Sequence, residues 1–245
     1  TFTTRFSFEV GANQMELNAE EVAIADRAKA EAKTLKKAVY LDFSKDIVAN
    51  ENPVLIMMSG APGAGKTEVV QELMKELRNI NSIDPDSYRP LFKEYNGDNS
   101  HLFQGACTAL LSHVYENAVK NKLNIILDTN LINFDVAMRN LLKASCFGYK
   151  IMVYHVSLDP YIAWRFVKTR TRKILPETFK RNVFLVREVL VKLLQHESAK
   201  NVRLTILHKW VDLEERDKPI RDLILYKKVT QNANVTMLDM VAPMM

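Results

Sequence analysis

Glycine is scarce in this chain, seven residues among 245, which excludes Gly/Ser-rich linkers and low-complexity tracts as dividers of the fold. Cysteine is scarcer: Cys107 and Cys146 stand alone, too few for the disulfide framework of a small secreted scaffold. Both fall on apolar faces of helical patterns and are expected to be reduced core residues. No apolar run approaches the ~20 residues that cross a bilayer. The opening segment TFTTRFSFEV lacks the basic-then-apolar layout of a secretion signal. A cytoplasmic address without a membrane partner is the resulting expectation.

What is present describes a globule with a sizeable core, 47% apolar and 26% charged, with a net charge of +5. The positive surplus is local. Residues 165–181, RFVKTRTRKILPETFKR, carry Arg165, Lys168, Arg170, Arg172, Lys173, Lys180 and Arg181 against Glu177, and the remainder is about neutral. A compact cluster of this kind suits a few phosphates better than a long polyanion track, so nucleic acid is not the expected partner.

Periodicity places a helix over 18–38, with Asn18 and Glu21 as a capping box; it is expected to pack across the sheet. The run VLIMMS (54–59) reads as a strand covered on both faces. A helix follows at 67–80, where Val69, Val70, Leu73, Met74, Leu77 and Ile80 recur at helical spacing. The alternation continues with a weak strand at 81–84, a helix at 102–121 and a buried strand at 123–128. Next come a helix capped by Asn133 and closed by Gly148, and a strand at 149–156. Asp159 and Pro160 open another helix, one more covers 176–195, and strands at 202–208 and 222–229 complete the series. Strands alternating with helices imply an α/β fold, a parallel sheet with helices on both faces. One domain is expected: a helical extension over 1–50, a core over 51–210, and strands and tail over 211–245.

Three of the seven glycines lie within six residues of one another. Gly60, Ala61, Pro62, Gly63, Ala64, Gly65, Lys66 and Thr67 complete the pattern G-x-x-x-x-G-K-[ST] between a buried strand and an amphipathic helix. Glycines let a backbone wrap a phosphate with its N–H groups inward, and the helix start adds partial positive charge. Lys66 is then expected at the β- and γ-phosphates of ATP and Thr67 on Mg²⁺. Glu68, Arg170 and Arg172 are counted with the nucleotide contacts.

In IDPDSYR, Asp84 and Asp86 end the second strand, where ligands of open α/β sheets collect. Either carboxylate could accept the proton of an attacking hydroxyl, or both could simply cap the following turn. Asp128 ends the strand LNIILD, a place for a metal or acceptor contact, with Thr129 and Asn130 beside it. Arg170, Arg172 and Lys173 precede the turn at Leu175–Pro176 and are expected as a cationic lid, whereas Arg165, Lys180 and Arg181 read as a solvated basic face. A small-molecule kinase, a nucleotide-dependent switch and a polynucleotide end kinase all fit at this stage.

The succession GAPGAGKT, IDPDSYR, LNIILDTN and DPYIAWRFVKTRTRKILPETF resembles the zeta toxin family of P-loop kinases, particularly its Gram-negative and phage-type branch, over about residues 50–195. The resemblance implies an ATP- and Mg²⁺-dependent kinase acting on a sugar-nucleotide hydroxyl such as that of UDP-N-acetylglucosamine, with an antitoxin as possible partner. It implies Asp86 as general base, Asp84 and Arg89 as supporting members of the motif, Lys66 and Thr67 as phosphate and metal ligands, and Arg170 on the phosphates. The second family arginine corresponds to Lys173, with Arg172 adjacent. Asp128-Thr129-Asn130 stands where sugar-nucleotide kinases carry Glu-Gly-Thr, and Ser112 and His113 stand near an expected acceptor glutamate. Relatives that phosphorylate dinucleotides belong to the same set of alternatives.

Overall fold

The computed structural model describes residues 17–170 and 174–231. Six strands form one sheet in the order β2-β3-β1-β4-β5-β6: β1 (Val54–Ser59), β2 (Ile80–Ile83), β3 (Asn124–Leu127), β4 (Lys150–Ser157), β5 (Arg203–Trp210) and β6 (Tyr226–Gln231). The first five are parallel. The sixth is antiparallel to β5 and exposed throughout, a correction to the all-parallel expectation. Its cause is the short connection after β5, which holds only brief 3-10 turns and no crossover helix.

Helices α1 (Ala19–Ser44), α2 (Lys66–Glu76), α3 (Gln104–Lys120), α4 (Phe134–Cys146), α5 (Pro160–Lys168) and α6 (Pro176–Gln195) cover the sheet. The alternation of the central strands explains why they need cover on both sides. Leu55, Met57, Ile125 and Leu127 enter one apolar cluster with α1, α3 and α4. Ile56, Met58 and Ile126 enter another with α2 and α5.

Helix starts follow their caps. Asn18 and Glu21 form the reciprocal box, Asn133 accepts from the Val136 amide, and Asp159 accepts from the Tyr161 amide ahead of Pro160. Three expectations shift. Helix α1 packs along α3 and the edge strand β2 rather than across the sheet, burying Ala28, Ala32, Val39 and Phe43 in the larger cluster, while Arg27 makes an exposed bidentate pair with Glu94, both bonds 2.8 Å. Helix α2 stops at Glu76, and Ile80 begins β2 because Asn79 turns the chain with a φ of 61°. Cys107 is buried, but Cys146, in the last turn of α4, is exposed. Trp164, half-buried, packs on Phe179 with ring centroids 5.0 Å apart, at the edge of the second cluster. Among the described residues no helix is long and apolar enough to cross a membrane.

Leu110 on α3 is fully buried in the larger cluster. Leu110→Ala should therefore destabilise the fold by about 2–5 kcal/mol. Arg27→Ala, which breaks an exposed ion pair, should cost no more than ~1 kcal/mol. Urea unfolding of both variants checks the contrast.

Candidate functional site

Strand β1 ends at Ser59 and α2 begins at Lys66, so residues 60–65 turn the chain above the central strand. Gly60, Gly63 and Gly65 have φ of 148°, 79° and 86°, values that disfavour any side chain. Space forbids one as well. A Cβ on Gly60 would stand 2.7 Å from the Val156 carbonyl oxygen, and one on Gly63 would collide with the Ala163 carbonyl. The loop is thus pressed onto β4 and α5, backbone against backbone. Helix α2 starts without a side-chain cap, so its first N–H groups have no partner within the helix and suit an anion.

Lys66 folds over the mouth of this loop, donating to the carbonyls of Gly60 at 2.9 Å and Ala61 at 3.3 Å. Although the residue keeps partial exposure, its ammonium is enclosed. Burial pulls its pKa down to about 8, against an opposing pull from Asp128 and a further push from Arg170. The Ser59 hydroxyl and His155 Nδ1, both buried and 3.0 Å apart, join the ends of β1 and β4 beneath the loop. Burial lowers the His155 pKa to about 4, so that ring is neutral at physiological pH.

The acidic side of the site rises from the neighbouring strands. Asp84 follows β2 and caps a 3-10 turn (Pro85–Leu91), its carboxylate accepting from the Asp86 amide at 2.8 Å. The capping alternative therefore holds for Asp84, and the cap sets the direction in which Asp86 leaves the strand. Asp86 is exposed on its outer edge and accepts from Nη1 of Arg89, a guanidinium 2% exposed. Arg89 Nη2 donates to Gln104 Oε1 at 2.7 Å, and its Nε has no hydrogen-bond partner among the described residues. Asp128 follows β3, half-buried, with Thr129 and Asn130 half-buried beside it. Burial raises the Asp128 carboxyl to about 6, with Lys66 pulling it down and Asp84 and Asp86 pushing it up. His113, by contrast, lies on α3 against the Tyr40 ring, centroids 6.5 Å apart.

Arg170 follows the end of α5 and lies close enough to influence both Lys66 and Asp128. Sequence positions spread over a hundred residues are thus brought to one place: Lys66, Asp84, Asp86, Asp128 and Arg170. The other two cations expected in a lid, Arg172 and Lys173, lie outside the described residues. Arg165 is not part of a solvated face; its guanidinium donates to the carbonyls of Arg216 and Lys218 and anchors the loop after β5. Lys180 and Arg181 are exposed as expected. Beside the loop opens a cleft of about 310 Å³, walled by Gly63, Gly65, Phe166, Arg170 and Lys209.

A family model described as Zeta toxin matches residues 37–217. The chain belongs to the zeta toxin family. Among solved structures it is similar to a chain from the PezAT chromosomal toxin–antitoxin system of the human pathogen Streptococcus pneumoniae, with a TM-score of 0.62 and 18% identity over 81% of each chain. It is also similar to a chain of the AvrRxo1-ORF1:AvrRxo1-ORF2 complex with ATP, with a TM-score of 0.51 and 14% identity over 77% of this chain and 62% of that one. A chain of the Pnkp1/Rnl/Hen1 RNA repair complex shares the fold at a TM-score of 0.50 and 17% identity, over 59% of this chain and 47% of that one. No curated protein sequence matches.

A zeta toxin-family chain with this loop is an ATP-dependent phosphotransferase, and the surroundings of its loop include groups that motif reading did not supply. Gln104 was hidden because a glutamine at the start of a helix carries no signal of its own. Lys209 was legible in principle: in VRLTILHKW it falls on the same alternate face as the buried Thr205 and Leu207, where a lysine is out of place.

Lys66 yields a pH dependence with a definite sign. Between about 8 and 10.5 the folded, unliganded chain holds fewer protons than the unfolded one, so stability should rise with pH across that window, and Lys66→Met should remove the rise. A bound triphosphate favours the charged ammonium, so the Kd for ATP should increase by up to about tenfold per pH unit above that lower limit. Denaturation midpoints and calorimetry between neutral and alkaline pH check both.

Proposed function

We propose that this chain transfers the γ-phosphoryl group of ATP to a hydroxyl of a sugar nucleotide, with UDP-N-acetylglucosamine as the first candidate, using Asp86 as general base. The observation that carries this reading is the convergence of Asp86 with Lys66 at the carboxyl end of the sheet, the edge at which open α/β folds bind their ligands. Residues 60–67 form the nucleotide side, with Glu68 held against Lys209 next to Gly65; Lys66 neutralises the β- and γ-phosphates, and Arg170 approaches from the end of α5. Asp84, Arg89, Asp128, Thr129 and Asn130 form the acceptor side.

The acceptor oxygen attacks the γ-phosphorus, its proton passes to the Asp86 carboxylate, and the bond from that phosphorus to the bridging oxygen breaks to release ADP. Arg89 keeps the carboxylate aimed. Being buried itself, it cannot be displaced by solvent, and Gln104 fixes its second nitrogen. Lys66, Arg170 and the helix start stabilise the charge of the transferring group.

Thr67 and Asp128 fit a Mg²⁺ ion. The described residues contain no cluster of three acidic, histidine or cysteine ligands, but Mg²⁺ needs only one or two protein ligands beside phosphates and waters. Thr67 is exposed at the start of α2, and the half-buried Asp128 carboxyl has the unfavourable ionisation that a cation relieves. When bound, the ion would neutralise phosphate charge.

The shorter acid at 128 and the absence of an acidic group at 112–113 leave room for an acceptor other than the amino sugar, so dinucleotides and oligonucleotide ends belong on the same panel. Action as a toxin, with an antitoxin covering the site, is part of the proposal. The PezAT neighbour comes from such a toxin–antitoxin system.

Purified protein with ATP, Mg²⁺ and that panel should add one phosphoryl mass to a sugar nucleotide. Asp86→Asn should lower transfer by about 10²–10⁴-fold while ATP affinity changes little. Transfer by the Asn variant at the original rate would remove Asp86 from the role of base.

A further inference from the structure

The cleft beside the loop contains a charge that neither the loop motif nor the acidic motif accounts for. Lys209 of β5 is 3% exposed, on the strand face that begins with the exposed Arg203 and continues inward through the buried Thr205 and Leu207. An apolar side chain would be the default there, because a buried ammonium is retained only against its desolvation. Its partners are specific. Nζ donates to the Gly65 carbonyl at 3.1 Å and stands 3.6 Å from Glu68 Oε2. A Cβ on Gly65 would collide with both Lys209 Nζ and Glu68 Oε2, so the pair closes directly over the last glycine of the loop.

The arrangement extends one step further. Lys227 lies opposite Lys209 in the β5–β6 register and reaches Glu72 Oε1 at 3.7 Å. Like charges facing one another across a strand pair are unfavourable. Glu68 and Glu72, one turn apart on α2, offset that repulsion and tie the antiparallel hairpin to the helix that the loop opens.

A peptide unit is planar and trans, so its carbonyl and the next N–H point in opposite directions. Holding the Gly65 carbonyl toward β5 therefore fixes the Lys66 N–H on the other side, among the amides of the phosphate cradle. We propose that Lys209 is a positioning residue for ATP: with Glu68 it orients the Gly65–Lys66 peptide, so that the β5–β6 hairpin sets the loop's affinity for the triphosphate. This rests on residues 60–67 being the ATP-binding loop and is independent of the acceptor.

The test uses the full chain and two ligands, ATP and inorganic tripolyphosphate, which lacks the nucleoside. Lys209→Met keeps the apolar stem and removes the ammonium. Calorimetry should show both ligands weakened by about tenfold. The denaturation midpoint without ligand should be equal or higher, since a buried charge is gone. Adding Glu68→Gln should produce no further loss, because the two residues act through one contact.

Unchanged ATP affinity in a folded Lys209→Met protein would overturn the proposal. So would a loss confined to ATP, which would make Lys209 a direct ligand of the nucleoside. Should Lys209→Met fail to fold, Glu68→Gln alone decides: a shared loss of about threefold in both ligands supports the positioning role, and no loss overturns it. Failure of the unaltered chain to bind either ligand would instead refute the loop assignment.

Discussion

Contact between backbone and backbone governs this molecule. The loop after β1 can lie against Val156 and Ala163 only because no side chain intervenes at Gly60 and Gly63. That contact seats the loop at the junction of β1, β4 and α5. Because β1 is central, with β3 and β4 on either side, the loop opens where the chain crosses from one half of the sheet to the other. Acidic residues following β2 and β3 then gather at the same edge of the sheet. Most of the fold serves to keep those strand ends level, which explains the complete burial of β3 and the nearly complete burial of β1.

The second level of organisation is electrostatic. Two carboxylates after β2, one after β3, a lysine in the loop and an arginine after α5 share a partly dry space. Lys66 and Asp128 each feel the other's charge, and both feel the charges of Asp84, Asp86 and Arg170. In the unliganded chain the space is frustrated: Lys66 is held toward neutrality and so is Asp128, both by burial. A ligand with phosphate charge and a bound cation would relieve each in the proper sense. The site thus stores unfavourable ionisation that a substrate complex can release. Arg89, buried and clamped between Asp86 and Gln104, gives this charged region a rigid edge.

Much of the architecture was legible because its signals are local. Capping residues fixed the starts of α1, α4 and α5, and continuous apolar runs marked β1 and β3 as strands covered on both faces. The departures share a cause. The antiparallel β6 depends on the length of its connection and on pairing with β5, neither of which appears in the residues 226–231 themselves. Cys146 sits in a helical apolar pattern, yet α4 ends there and turns that position outward. Arg165 looked like part of a basic face because charge alone cannot show that two carbonyls fifty residues later would receive it.

For the site, the chain by itself determined the loop, the strand before it, the helix after it and the acidic residues at strand ends. These follow from backbone dihedral freedom, alternation and capping, all of which act within a few residues. Only the tertiary structure decided that Asp84 caps while Asp86 projects, that Gln104 holds Arg89, and that a lysine from β5 closes over Gly65. Those outcomes depend on which distant groups arrive within hydrogen-bonding distance. Strand order and helix packing set that, and no short stretch of sequence encodes it.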